Sequence, residues 1–178
     1  MKIEGPTAGT IVLRRDKPAA PQWWIISFRD PVASRPIFLI QYASPGVPDS
    51  PVNPNSASSL TGLLIAVKDL HSSAASYESV ARASTREILM PEFGAIAKEI
   101  VLERGSIFLL AATDPAGPTA RRLKAGGEGI LGATITVTDL ARAGKWLGKR
   151  NISNNPQSIL VSPEHAAGIW LQFQEQQK

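Results

Sequence analysis

The chain has 178 residues, 43% of them hydrophobic and 19% charged, with a formal net charge of +4. That apolar share suffices to bury one good-sized core or two small ones, and it excludes a wholly disordered chain. Cysteine is absent, which excludes a disulfide framework, a thiolate nucleophile and a cysteine metal site, and no apolar run approaches the roughly 20 residues of a membrane-spanning helix.

The N-terminus "MKIEGPTAG" lacks the positive-then-apolar order of a signal peptide, so a cytoplasmic protein without membrane attachment is expected. Basic residues gather in two small clusters, Arg14, Arg15 and Lys17, then Arg121, Arg122 and Lys124. Neither makes the continuous basic face that nucleic acid requires, and both read as solvated loop charges. "NIS" at Asn151 to Ser153 matches a glycosylation acceptor but has no meaning without secretion.

In chain order, "GTIVLRR", "QWWIISF" and "PIFLIQY" read as three short strands between Pro-containing segments. Residues 1–42 are therefore expected to form N-terminal strands, and residues 43–60, rich in proline and small polar residues, a connector. Residues 61–112 then read as one module. "LLIAVKDL" is a strand, Asp69 caps a helix over "LHSSAASYESVAR", and two or three strands follow, with a tight turn at Glu103 to Gly105. Residues 113–129 are read as a linker, with "AGGEG" a turn because it precedes a strand rather than opening a helix. Residues 130–175 repeat the order: "ATITVTDL", Asp139 as cap, "LARAGKWLGKR" as helix, and "QSILVSP" and "GIWLQFQE" as closing strands. "GLLIAVKDL" and "GATITVTDL" are two copies of one supersecondary unit, at a period longer than solenoid repeats use. The fold class is α+β, with tandem βαβββ modules and extra N-terminal strands.

The chain resembles the vicinal oxygen chelate superfamily, which includes glyoxalase I, extradiol dioxygenases and fosfomycin- and bleomycin-resistance proteins. It is most similar to the glyoxalase-like domain proteins, whose "PFFI-W" strand and "HPNGA"-type connector become "PIFLIQY" at Pro36 to Tyr42 and "NPNSA" at Asn53 to Ala57. The resemblance implies sheets curled into a cleft with helices outside. In metal-dependent members a His near the start of each first strand and a Glu in each last strand hold a divalent ion. Carried over, those positions are Gly62, Gly132, Leu109 and Gln172. No metal and no other cofactor is expected, and a divalent ion would need ligands outside these positions. The resemblance also implies a βα unit ahead of residues 8–42, so the N-terminal strands read as part of an incomplete module whose edge a homodimer would cover.

The remaining candidates are cleft residues. Trp170 and Gln172 should share a face with Thr134 and Thr136, a large aromatic beside hydrogen-bonding side chains, which suits a small-molecule ligand. Trp23 and Trp24 are neighbours on one strand, so one faces away from the other's packing, and Trp24 joins the ligand-binding candidates. The first copy's cleft face, read as Leu64, Ala66, Ile107 and Leu109, is wholly apolar and expected to be filled. His71 and His165 read as exposed, and Tyr77 and Trp146 as equivalent core positions. No catalytic residue is assigned; Glu92 and Glu99 stand in no recognisable catalytic arrangement. The expected function is a glyoxalase-like protein without the metal site, binding a small molecule. The alternatives are a lyase-, isomerase- or dioxygenase-type enzyme of the same superfamily and a structural or dimerisation module.

Overall fold

A computed structural model describes residues 3–9, 23–28, 38–43, 53–150, 152–153 and 155–175. The chain divides into two units, Met1–Ser50 and Pro51–Lys178, each described by itself.

In the first unit, β1 (Ile3–Gly9), β2 (Trp23–Phe28) and β3 (Phe38–Tyr42) form an antiparallel sheet in that order. The first strand lies earlier than "GTIVLRR" suggests, and residues 10–15 of that segment, with Arg14 and Arg15, lie outside the described residues. Gly5 and Pro6 look like turn formers. Pro6 is nevertheless accommodated because β1 is an edge strand whose register shifts between Glu4 and Thr7, where a missing N–H breaks no regular pairing.

In the second unit, β4 (Ala57–Ala66) precedes α1 (Leu70–Ala81), β5 (Thr85–Met90), β6 (Ala95–Leu102) and β7 (Gly105–Ala112). Then come α2 (Pro118–Gly126), β8 (Gly129–Val137), α3 (Leu140–Leu147), β9 (Ser158–Val161) and β10 (Trp170–Glu175). The strands make one curled sheet ordered β5-β6-β7-β4-β8-β10-β9. Within each copy the first and last strands pair in parallel, β4 with β7 and β8 with β10, and the copies join through the antiparallel β4–β8 pair. Among the described residues the first copy has three strands after its helix and the second has two, so the second module is βαββ rather than the expected βαβββ.

Both helices start where the sequence places them. Asp69 Oδ1 accepts the Ser72 N–H at 3.0 Å, and Asp139 Oδ1 accepts the Arg142 N–H at 2.8 Å. Each carboxylate satisfies a first-turn donor that has no partner within the helix. β4 begins at Ala57, so the connector ends sooner than residue 60. It closes with a turn at Asn53 to Ser56, tied to the start of α3 because Ser56 Oγ donates to the Asp139 carbonyl at 2.7 Å.

The segment read as a linker contains α2. Its signal is Pro118 at the first helical position and Gly127 just beyond the end, a start and stop that suit the free N–H and C=O groups at helix termini. Arg122 sits on this helix, donating to the Gly127 and Ile130 carbonyls at 2.9 and 3.2 Å.

Pleating sorts the side chains. Ile65, Leu109 and Ile100 on one face are buried, α1 lies over β6 and β7, and α1 buries Ala74 and Tyr77. The same face of the second copy packs Ile135, Val137, Phe173 and Val161 with Ala143 and Leu147 of α3. Trp146 is therefore not the equivalent of Tyr77. It is 51% exposed beneath the Arg150 guanidinium, because Leu147, one residue on, points into the core. On the opposite face Leu64, Ala66, Leu110 and Phe108 pack with Met90, Phe93 and Leu123. Leu64 and Ala66 of the first copy's cleft face are fully buried, as expected, but β7 contributes Phe108 and Leu110 rather than Ile107 and Leu109, and the end of the face at Ser106 and Phe108 stays open to a cavity. Among the described residues no helix is long and apolar enough to cross a membrane.

Candidate functional site

The β8–β10 pairing sets Trp170 beside Gly132, Gln172 beside Thr134 and Gln174 beside Thr136, so these side chains share one sheet face. Thr134, Thr136 and Gln172 are brought together around a cavity of about 440 Å³ that also meets Thr61, Ser106 and Glu99. Trp170 borders a second cavity of about 650 Å³, lined also by the start of α2, by Ile152 and Asn155, and by the charged Glu92, Asp114 and Arg121. Trp24 belongs to the other unit, where it is half-buried and pairs with Ala8 and Gln41. His71 and His165 are exposed.

The polar side chains form short chains of hydrogen bonds. Thr61 and Thr136 share one between hydroxyls at 2.8 Å. Thr134 Oγ1 donates to Gln172 Oε1 at 3.4 Å, and Gln172 Nε2 donates to Glu92 Oε1 at 3.0 Å. Glu99 is 5% exposed. Its carboxylate accepts from Ser106 Oγ at 2.6 Å and from Arg86 Nε, and this ion pair pushes the Arg86 guanidinium above its ordinary range. A buried carboxylate needs such partners, since unpaired it would cost several kcal/mol.

Sequence reasoning missed Glu92, Glu99, Arg86, Ser106 and Thr61 as cavity groups. Glu99 comes from β6, where the pairing Glu99 with Phe108 puts it on the cavity face. Its sequence signal is the charged pair Lys98-Glu99 inside the apolar run "AIAKEIVL": alternation turns one of the two to each face, without saying which face is buried.

The observed register also corrects one carried-over position. β4–β7 pairing sets Leu64 beside Phe108, as β8–β10 sets Thr134 beside Gln172, so Phe108 and not Leu109 is the counterpart of Gln172. The four family ligand positions thus hold Gly62, Gly132, Phe108 and Gln172. One amide is too few donors for a divalent ion that takes four or more. The two glycines are also closed over: a Cβ on Gly62 would lie 2.7 Å from Thr134 Oγ1 and 2.9 Å from the Phe108 ring, and one on Gly132 would strike the Trp170 carbonyl. A divalent ion does not fit these four positions. Elsewhere among the described residues, no three His, Asp or Glu side chains gather as a ligand set.

No protein-family profile matches the sequence, and no curated protein does. Solved structures match the fold. Methylmalonyl-CoA epimerase from Mycobacterium tuberculosis superposes with a TM-score of 0.61 at 20% identity, covering 69% of this chain and 91% of that one. A hypothetical protein from Bacillus halodurans C-125 gives 0.59 at 20% identity, covering 67% and 95%. A variant of Streptomyces coelicolor methylmalonyl-CoA epimerase in complex with 2-nitronate-propionyl-CoA gives 0.58 at 16% identity, covering 69% and 100%. The duplicated strand-helix-strand copies joined through β4 and β8, together with these structural neighbours from the vicinal oxygen chelate superfamily, give the chain the vicinal oxygen chelate fold.

Proposed function

We propose that this protein binds a small molecule on the concave sheet face, in the cavity around Thr134, Thr136 and Gln172, without the divalent metal common in its superfamily. One observation supports the reading: of the four positions that the resemblance implies for metal ligands, three hold closed-over glycines and a phenylalanine, while the fourth, Gln172, lines a cavity with hydroxyl and carboxylate groups. Its volume of about 440 Å³ lies within the roughly 300–1,000 Å³ of ordinary small-molecule sites. The test is elemental analysis of the purified protein with native mass spectrometry of whatever it carries. Protein free of stoichiometric metal with a small molecule retained supports the reading; a stoichiometric divalent ion lost on mutation of cleft residues overturns it.

The second reading is an enzyme of the lyase, isomerase or dioxygenase type. It is favoured by the epimerase names among the similar structures and by Glu99, a buried carboxylate at the cavity wall able to accept a proton from a bound substrate. A screen over glyoxalase, epimerase and ring-cleavage reactions, with and without added metals, separates the two; turnover abolished by Glu99→Gln establishes the enzyme. Pairing of two copies along an edge of the β1-β2-β3 sheet is proposed with either reading, and a monomeric mass by light scattering removes it.

A further inference from the structure

We propose that the two cavities are chambers of one elongated site, closed off from each other by the Glu92–Gln172 hydrogen bond, and that the ligand is a polyhydroxylated group bearing an aromatic or other apolar substituent. The proposal rests on the binding reading above and names the ligand class of that site.

Glu92 and Gln172 line both cavities, so their 3.0 Å hydrogen bond is part of the wall the cavities share. Two features let that wall open. Glu92 is exposed on a one-turn helix, Pro91–Phe93, so its carboxylate regains water when the bond breaks. The other end of the Gln172 amide is held by Thr134 at 3.4 Å, near the outer limit of a hydrogen bond. Opening therefore forfeits about one net hydrogen bond, which the burial of a modest apolar group exceeds.

The chambers differ in chemistry. In the smaller, the Gln174 amide both donates and accepts, and the Thr61–Thr136 pair keeps one hydroxyl proton beyond the bond it shares. Ser106, whose proton goes to Glu99, keeps acceptor lone pairs, and the mixture matches hydroxyls, which do both. In the larger, Trp170 is part of the lining, held from behind by the buried Phe93 ring, edge to face with centroids 6.1 Å apart and planes at 86°. Leu160, Ile152, Pro91 and Pro118 give one side of that cavity an apolar wall for a flat group, while Asp114 and Arg121 line it with charge.

The experiment is calorimetric titration with phenyl β-D-glucopyranoside and methyl β-D-glucopyranoside, with the Trp170 indole N–H followed by NMR. The phenyl compound is expected to bind about tenfold more tightly and to shift the Trp170 signal. Glu92→Ala should tighten it about fivefold further, since no bridge has to open. Thr136→Val should weaken both compounds. Equal affinities for the two compounds, or an unmoved Trp170 signal, overturn the two-chamber proposal; if Thr136→Val still weakens the methyl compound, the binding reading survives. Failure of both compounds to bind at millimolar concentration overturns the ligand class.

Discussion

Gly62 and Thr134 meet across the β4–β8 seam so closely that a methyl group on Gly62 would sit 2.7 Å from the threonine hydroxyl oxygen. Across the β8–β10 pair, the atom facing Gly132 is the backbone carbonyl of Trp170, which no rotamer change can move aside. Gly62→Ala is expected to cost about 1–3 kcal/mol by overpacking, and Gly132→Ala more. Urea denaturation of both variants checks the order, and a smaller loss for Gly132→Ala contradicts it.

Asp69 and Asp139 each accept one first-turn N–H from outside the helix. Replacing either with alanine should lower stability by about 1 kcal/mol, whereas asparagine, which keeps the acceptor oxygen, should retain most of it. Thermal unfolding of the four single variants tests this; equal losses for alanine and asparagine would assign the effect to something other than capping.

The two partners of Glu99 differ in charge, and so should the cost of losing them. Ser106 is half-buried, so Ser106→Ala takes a donor from a carboxylate that water cannot easily reach, at about 1–3 kcal/mol. The Arg86 side chain is 69% exposed, but Arg86→Ala leaves the buried Glu99 without the cation that pairs it, so it should cost more than Ser106→Ala. The ranking is read from chemical denaturation at neutral pH, and a smaller loss for Arg86→Ala reverses it.

The Ser162 hydroxyl, joined by the residue's own backbone N–H, holds the Glu164 carboxyl below its ordinary value of 4.5. A depressed folded pKa means the native state binds the proton less readily than the unfolded chain. The contribution is therefore present above the ordinary carboxylate value and is lost as pH falls through the folded one. NMR titration should give Glu164 a midpoint below 4.5, and Ser162→Ala should raise it. A midpoint unchanged by that substitution would remove the hydroxyl as the cause.

The duplicated strands, both caps and the shared face of Thr134, Thr136, Trp170 and Gln172 were legible because each rests on local signals: an alternating strand, an Asp before an apolar stripe, a parallel copy. α2 was hidden because "PTARRLKAG" is short and polar, and its punctuation carries the only helical sign. In "GSIFLLAA" every residue after Ser106 is apolar, so alternation cannot tell Phe108 from Leu109, and only pairing with β4 assigns the faces. The Trp146 assignment failed through one residue of helical phase. Glu92 and Gln172 are 80 positions apart, and no local pattern announces a contact made by tertiary folding.

Phe93, fully buried against Leu64 and Leu110 and edge-on to Trp170, has a last implication. Phe93 lies between β5 and β6, and among the described residues the second copy has no strand that answers β5. The ring that packs edge-on against Trp170 of the second copy is therefore supplied by the first copy alone, and the two halves share a plan of pairing without being interchangeable.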